Sequence, residues 1–194
     1  MNSFFALISR MRYIGRWGLM RNSYQENIQE HSHMVAVLAH ALATIKRDIF
    51  GGDIDPNFVG IAALYHDAPE IFTGDLPTPI KYNNSDIMLA YKQVEHTAAK
   101  KLLDMLPEEL QPAYEPLLSA QQGDAHTIIK CADKLSAYIK CVEERKAGNN
   151  EFIQAEKQLL DTLNNYTNPE VKYFIENFLP AFGVTLDELD LSIK

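Results

Sequence analysis

The sequence predicts an all-α protein made of one domain, and three observations lead to this prediction. The chain has 194 residues, of which 46% are apolar and 23% charged, as expected for a globular domain with a substantial core. Apolar residues recur at three- and four-residue spacings almost throughout, and no alternating β-branched run indicates a sheet. Because no repeat, low-complexity segment or long linker interrupts the pattern, residues 1–194 are expected to form a single helical bundle.

The first long helix is predicted to begin at Asn27, which resembles a capping box with the glutamate three residues later, and to end near Gly51-Gly52. A second helix is predicted from Asp55-Pro56, where a capping residue precedes proline at the first helical position, to His66-Asp67. The following segment, residues 73–79, contains one glycine and two prolines and is predicted to stay irregular. Loops of this kind often carry functional residues.

Further helical segments follow from the same start and stop signals. They are predicted over Ser85 to Met105, Pro107 to Leu110, Ala125 to Lys146 with Asp124 as its cap, Phe152 to Asn164, and onward from Asn168-Pro169, with a last capping box at Thr185 and Glu188. Cys131 and Cys141 lie in one of these segments, ten residues and therefore about 15 Å apart along a helix. That separation is too large for a disulfide, so both thiols are expected to be reduced.

The charge distribution argues against a polyanionic partner. The chain has 18 basic and 26 acidic residues, a net charge of −8, and a field of this sign repels nucleic acid polymers. The first 25 residues are an exception, since they contain no acidic residue but several arginines, namely Arg10, Arg12, Arg16 and Arg21. This basic segment is either a solvated helix face or a local site for a small anionic ligand.

The apolar stretches are short. The segment 35–43, which contains His40, is far below the ~20 residues that cross a bilayer. The apolar residues 4–8 are followed by arginines rather than by a small-residue cleavage site, which argues against a signal peptide. The sequence therefore predicts a cytoplasmic protein with no membrane partner.

Ionisable side chains interrupt the apolar faces of three predicted helices. At about 100° per residue, His31 falls on the apolar face of its helix, His66-Asp67 ends the next helix, and Asp133 borders a third apolar face. Burying a carboxylate is costly unless a cation or donor compensates it, so these imidazoles and carboxylates together indicate a divalent-metal site. The simpler alternatives are a hydrogen-bonded core histidine, an ordinary helix end, and a surface Asp133 paired with Lys130 or Lys134.

The order of His31, then His66-Asp67, then Asp133 resembles the HD-domain metal-dependent phosphohydrolases, an all-helical fold. Longer motifs resemble the YfbR-type 5′-deoxynucleotidase branch of that family, and the likeness extends over nearly the whole chain. These motifs are Gly15-Arg16-Trp17, Glu26-Asn27 with Glu30-His31-Ser32, Tyr65 to Glu70, Thr73 to Pro79, Lys130 to Lys134 and Ala147 to Phe152. At the metal-ligand positions the chain keeps the family's pattern.

The resemblance implies a single divalent metal ion with four protein ligands, water and substrate phosphate around it. The ligands are His31, His66, Asp67 and Asp133, of which His31, Asp67 and Asp133 also border the substrate. Nitrogen and oxygen ligands without thiolate suit Mn²⁺, Co²⁺, Fe²⁺ or Ni²⁺, with Zn²⁺ less favoured if six-coordinate, and the family likeness favours Co²⁺ or Mn²⁺. Such an ion lowers the pKa of a bound water and neutralises charge on the phosphoryl group, so no covalent enzyme intermediate is needed.

The same resemblance implies catalytic roles for Glu70, Arg16 and Asp75. Glu70, four residues after His66, would orient the attacking water or transfer its proton. Its spacing alone is equally consistent with an exposed glutamate on a short helix. Arg16 offers a planar fork to phosphate oxygens, and Trp17, the only tryptophan, offers a flat wall to the sugar or base. Taken alone, Arg16 is typical of a solvated residue and Trp17 of a core residue.

Asp75 and the residues after it are implied to hold the sugar. Its carboxylate would accept a hydroxyl while Leu76, Pro77 and Thr78 line the sugar pocket; the alternative is that Asp75 only caps its own turn. A closed wall at the sugar 2′ carbon would leave a buried ribose hydroxyl unpaired, at a cost of about 1–3 kcal/mol or roughly 5- to 150-fold. The implied substrate is therefore a deoxyribonucleoside 5′-monophosphate, with little discrimination among bases.

The resulting hypothesis is a 5′-deoxynucleotidase of nucleotide metabolism that releases deoxynucleoside and phosphate, and the family likeness implies a homodimer. Two alternatives stay open at this stage. One keeps the metal site but changes the substrate to a cyclic nucleotide, a triphosphate or a guanosine polyphosphate. The other is a regulatory module that binds nucleotides without turnover.

Overall fold

Helices form nearly all regular secondary structure in the computed structural model, which describes residues 2–81, 84–119 and 123–189. The α-helices are α1 (Phe4–Ile8), α2 (Ile28–Asp48), α3 (Pro56–Leu64), α4 (Glu70–Thr73), α5 (Thr78–Lys81), α6 (Ser85–Leu103), α7 (Gln111–Leu118), α8 (Gly123–Lys146), α9 (Ile153–Asn164) and α10 (Pro169–Asn177). Short 3-10 segments cover Ser9–Tyr13, Asn150–Phe152, Leu179–Gly183 and Leu186–Glu188. Within the described ranges the only β pairing is one antiparallel bridge, Gly15 with Asn27, so the all-α prediction is confirmed.

Three of the predicted helix caps are present where the sequence places them. The Asn27 side chain accepts hydrogen bonds from the backbone N–H groups of the second and third residues of α2, each 3.0 Å long. Asp55 accepts the Asn57 N–H at 2.9 Å, and Pro56 opens α3. Caps of this kind are each worth about 1 kcal/mol. Thr185 and Glu188 form the predicted reciprocal capping box.

Several predicted boundaries are wrong. The segment 73–79 is not irregular throughout, because α4 includes Thr73 and α5 begins at Thr78, and α6 ends at Leu103 rather than at Met105. The helix expected from Pro107 to Leu110 is a turn, and α7 begins four residues later, because Pro112 occupies a first-turn position that tolerates its missing N–H. Helix α3 ends at Leu64 rather than at His66-Asp67, and tight i to i+3 turns follow it. Asp124 lies inside the first turn of α8 and pairs with Lys46 instead of capping the helix.

The main core lies where α2 packs against α3 and α8. Val35, Leu42 and Leu135 are completely buried there, and burying each such side chain contributes about 1.5–3 kcal/mol. Cys131 and Cys141 are free, as predicted, and the structure places both of them in buried positions. A second cluster joins α1, the segment after it, α6 and α7, with Phe4 and Leu102 at its centre.

A buried carboxylate ties the segment before α2 to the far end of α8. Glu144, fully buried, accepts hydrogen bonds from the N–H groups of Ser23 (2.8 Å) and Tyr24 (3.2 Å), from the Asn149 amide (2.8 Å) and from Lys140. Burial alone would raise the pKa of Glu144, but the hydrogen bonds from Lys140 and Asn149 outweigh it and lower the pKa to about 2. This network fixes the course of the chain just beyond Arg16 and Trp17.

None of the helices in the described parts of the chain combines the length and apolar character needed to cross a membrane.

Candidate active site

His31 lies in the first turn of α2 with its side chain completely buried, as the helical periodicity predicts. Its two ring nitrogens face different partners on α8. Nδ1 is 3.2 Å from the Ser136 hydroxyl, and Nε2 is 3.1 Å from a carboxylate oxygen of Asp133. The Asn27 cap, which fixes the start of the helix, therefore also fixes where this imidazole enters the site.

His66 and Asp67 reach the same place from the turn that follows α3. The His66 Nδ1 lies 2.7 Å from the Ala63 carbonyl, a distance at which it donates its proton, so Nε2 carries the lone pair. Among the described residues this buried Nε2 has no hydrogen-bond partner, although Asp67 Oδ2 is 3.2 Å away. Asp67 Oδ2 also lies 3.6 Å from Nε2 of His31.

Asp133 completes the cluster from the middle of α8. His31, His66 and Asp133 each offer one ligand atom, and these three atoms lie within 4.8 Å of one another. The carboxylate of Asp67 is next to both imidazoles. The alternative pairing of Asp133 with Lys134 is present as well, at 3.3 Å through the second carboxylate oxygen. The two contacts do not exclude each other, because His31 contacts Oδ1 and Lys134 contacts Oδ2.

The cluster suits a divalent cation. The unpartnered Nε2 of His66 points into it, with its tautomer fixed by the backbone, and the other groups are one imidazole and two carboxylates. Burial would raise the pKa of Asp67, but His66, His31 and Arg16 hold that pKa well below its usual value. Asp133 has a lowered pKa for similar reasons, its bond to His31 opposing burial. Both carboxylates are thus ionised, as metal ligands must be.

Glu70, the first residue of α4, lies beside this cluster and is nearly completely buried. Its N–H bonds to the Asp67 carbonyl at 3.0 Å, so the turn persists through Pro69 and directs Glu70 inward. Burial, followed by the charges of Asp67 and Asp75, raises the pKa of Glu70. Its Oε2 has no hydrogen-bond partner among the described residues. An acid held this way can take up or give a proton at the site.

Arg16 and Trp17 approach from the irregular segment that pairs with the start of α2. The Arg16 backbone N–H donates to the Glu26 carbonyl at 2.8 Å, and its side chain reaches Glu26 (Nε, 3.1 Å) and Asp67 (Nη1, 3.3 Å). Burial would lower the pKa of Arg16, but Asp67, Asp133 and Glu26 raise it, so the guanidinium is charged. Trp17 is half-buried beside it, 5.3 Å from the Phe152 ring between centroids.

The loop after α4 lies along the same side. Asp75, Leu76 and Pro77 are all half-buried, and the side chain of Thr78, which begins α5, falls outside the described part of the structure. Burial raises the pKa of Asp75, while the nearby Arg16 and the Trp17 backbone oppose that rise. Electrostatic coupling to Arg16, Trp17 and Asp67 places Asp75 at the edge of the cluster.

The sequence predicted no role for three residues that support the site, although Glu26 and Phe152 fall within the motifs that carry the family resemblance. Glu26 contacts both Arg16 and Trp17, Ser136 contacts His31, and Phe152 backs the indole ring. Ser136 follows Asp133 by three residues and so shares its helix face, a signal that was available. The contacts of Glu26 and Phe152 depend on tertiary packing that no local pattern encodes.

Solved structures with a similar fold identify the class of protein. An HD-domain phosphohydrolase from Listeria innocua superposes with a TM-score of 0.81 at 26% identity, covering 93% of this chain and 88% of that one. An HD phosphohydrolase of cyanophage S-2L, bound to dA and one catalytic Zn²⁺ ion, has a TM-score of 0.61 at 20% identity and covers 91% of this chain and 96% of its own. The fold is that of the HD-domain phosphohydrolases.

Sequence comparison narrows this class to one family. The model of the YfbR-like 5′-deoxynucleotidases matches residues 3–182. A 5′-deoxynucleotidase of Erwinia tasmaniensis is 51% identical over 188 residues, covering 96% of this chain and 95% of the relative. The chain belongs to the YfbR-like 5′-deoxynucleotidase family and is a hydrolase.

Proposed function

We propose that this protein removes the 5′-phosphate from deoxyribonucleoside monophosphates with the help of one divalent metal ion. The observation that carries the proposal is the meeting of His31, His66 and Asp133, whose ligand atoms lie within 4.8 Å of one another. Asp67 is the fourth proposed ligand, since its Oδ2 faces both imidazoles. Family membership supports the substrate class.

The donor set supports a transition metal. Two imidazoles and two carboxylates without a thiolate suit Co²⁺ or Mn²⁺, the proposed ions, and also accept Fe²⁺, Ni²⁺ or Zn²⁺. The cyanophage relative in fold holds Zn²⁺. When bound, such an ion lowers the pKa of a coordinated water toward neutrality and neutralises charge on the phosphoryl oxygens.

Arg16 is proposed to bind the substrate phosphate. Its guanidinium is held at two nitrogens, by Glu26 and Asp67, so it keeps one orientation and remains charged despite its burial. A planar cation oriented in this way recognises phosphate oxygens better than a flexible ammonium does. Because Glu26 and Asp67 carry the opposite charge, Arg16 is proposed to attract the phosphate together with the bound metal ion.

Glu70 and Asp75 are proposed to handle the proton and the sugar. Because its pKa is raised and its Oε2 has no partner among the described residues, Glu70 would be protonated at rest, give that proton to the leaving 5′ oxygen, and as the resulting carboxylate take up the proton of the attacking water. Asp75, with the backbone of Leu76, Pro77 and Thr78, would contact the deoxyribose. Trp17 would close the 2′ side, so that a ribose hydroxyl is left without a partner at a cost of about 1–3 kcal/mol.

The proposal also includes a homodimer, a cytoplasmic location and a role in nucleotide metabolism. Cys131 and Cys141, both reduced and buried, agree with a reducing compartment.

Phosphate release from matched nucleotides tests the proposed activity. We expect EDTA-treated protein to be inactive, and added Co²⁺ or Mn²⁺ to restore release of phosphate from dAMP, dGMP and dTMP. The corresponding ribonucleotides should react at least about fivefold more slowly, the lower bound set by one unpaired hydroxyl. Equal rates on dAMP and AMP, activity that survives the chelator, or release of pyrophosphate from triphosphates instead would contradict the proposal.

A further inference from the structure

Glu26 lies outside the proposed metal and catalytic groups, yet its carboxylate touches two of the proposed substrate-binding residues at once. The same oxygen, Oε2, accepts hydrogen bonds from Arg16 Nε at 3.1 Å and from Trp17 Nε1 at 3.0 Å. The other oxygen is 4.0 Å from His31 Nδ1. The Glu26 side chain is only 15% exposed, so these contacts are shielded from solvent and charge-assisted.

The backbone fixes Glu26 directly opposite its partners. The antiparallel bridge between Gly15 and Asn27 places the two chain segments side by side, and the Arg16 N–H donates to the Glu26 carbonyl at 2.8 Å. Because the main chains are paired, the carboxylate has little freedom to choose other partners. The bridge therefore places the Glu26 side chain within reach of the side chains of Arg16 and Trp17.

Trp17 needs such a restraint. Its φ of 58° lies in the left-handed region, which costs a residue with a Cβ roughly 1–2 kcal/mol and persists only when surrounding contacts require it. The contacts that hold the residue include the indole bond to Glu26, the Phe152 ring, and two donors to the Trp17 carbonyl, the Met20 N–H at 2.9 Å and the Asn22 amide at 3.4 Å. The bond to Glu26 restrains the rotation of the indole plane, because it engages Nε1, the only polar atom of the ring.

We propose that Glu26 is a positioning residue that sets the preference for deoxyribose by fixing the indole of Trp17 against the sugar. The inference rests on the proposed function, because it concerns the selectivity of that same site. Glu26 does not bind the phosphate, since its charge would repel that group. Glu26 also holds Arg16, which is proposed to bind the phosphate. Deoxyribonucleotides and ribonucleotides have the same phosphate, so any change in Arg16 alters both rates equally and leaves their ratio unchanged. The effect on Trp17 does not cancel.

The test compares kcat/KM for dAMP and AMP in variants of the metal-loaded protein. Glu26→Met fills the same space without an acceptor, and Glu26→Asp keeps the charge but withdraws the oxygen from its two donors. Both should lower the dAMP to AMP ratio about fivefold or more, the effect of one lost hydrogen bond of about 1 kcal/mol. Glu26→Gln retains an acceptor oxygen and should keep most of the ratio. Glu30→Gln, an exposed change in the first turn of α2, is the matched control.

A second readout needs neither substrate nor metal. Trp17 is the only tryptophan, so intrinsic fluorescence reports on this indole alone. Glu26→Met and Glu26→Asp should shift the emission to longer wavelength and increase quenching by acrylamide, while Glu30→Gln should not. If Glu26→Met does not fold, Glu26→Asp carries the test.

The possible results separate the two claims. An unchanged ratio in folded Glu26→Asp and Glu26→Met overturns the role in selectivity, and unchanged fluorescence overturns the positioning of the indole. A wild-type protein with no preference for dAMP, together with altered fluorescence in the variants, overturns the proposed function and with it the selectivity role.

Discussion

Replacing Asp133 by asparagine is expected to abolish measurable phosphate release, with a loss of at least about 10³-fold. The amide keeps the shape of the side chain but removes the charge that is proposed to help hold the ion. In the wild type one oxygen of this carboxylate lies 3.1 Å from His31 Nε2. Charge stabilisation by a bound metal is worth several kcal/mol, and each 1.4 kcal/mol is a factor of ten in rate. Metal content after dialysis should fall in parallel with activity.

A matched control for this variant lies on the same helix. Asp124→Asn is the same chemical change near the start of α8, at an exposed position that pairs with Lys46. It should retain metal and activity. An Asp133→Asn protein that binds metal and hydrolyses dAMP like the wild type would remove Asp133 from the proposed ligand set.

Glu70→Gln should lower kcat by about 10²- to 10⁴-fold, the range typical of a lost general acid or base, while metal content and the KM for dAMP change little. Glutamine matches the volume of the buried side chain but cannot carry the proton. An exposed Glu108→Gln change serves as the control. A Glu70→Gln enzyme with wild-type kcat would show that the carboxyl has no part in proton transfer.

The same variant should be more stable than the wild type in the metal-free form. Burial raises the pKa of Glu70 above its unfolded value, so the folded state binds a proton that the unfolded state releases as pH rises above about 4.5. The wild type therefore loses stability relative to Glu70→Gln as pH increases from 5 toward 8. Thermal unfolding of EDTA-treated wild type and Glu70→Gln across this pH range measures the difference in stability. A difference that becomes smaller as pH rises would contradict the prediction.

Local sequence patterns were sufficient to predict much of the fold and part of the candidate site. Helical periodicity alone placed His31 inward, and the Asn27 and Asp55 caps located the starts of α2 and α3. These features depend on neighbours a few residues apart, so a sequence records them directly. The approach of Asp133 to His31 was expected from the ordered motif and the family resemblance, not from geometry.

Other features depend on packing that the sequence does not display locally. The helix expected at Pro107 begins at Gln111 instead, where proline in the first turn competes with the earlier start. Glu26 has no periodicity to mark it, and its contacts with Arg16 and Trp17 exist only because a bridge pairs two irregular segments. From its spacing alone, Glu70 could lie in the site or be exposed on a short helix. The structure shows that the turn through Pro69 directs Glu70 inward, where it is buried.

One divalent ion is proposed to bind among His31, His66, Asp67 and Asp133. Anomalous scattering from a crystal of the protein loaded with Co²⁺ or Mn²⁺, recorded on both sides of the metal's absorption edge, tests it most directly. We expect a single strong peak within coordination distance of both imidazole Nε2 atoms and of the two carboxylates. A peak elsewhere, or no peak in a protein that still hydrolyses dAMP, would contradict it.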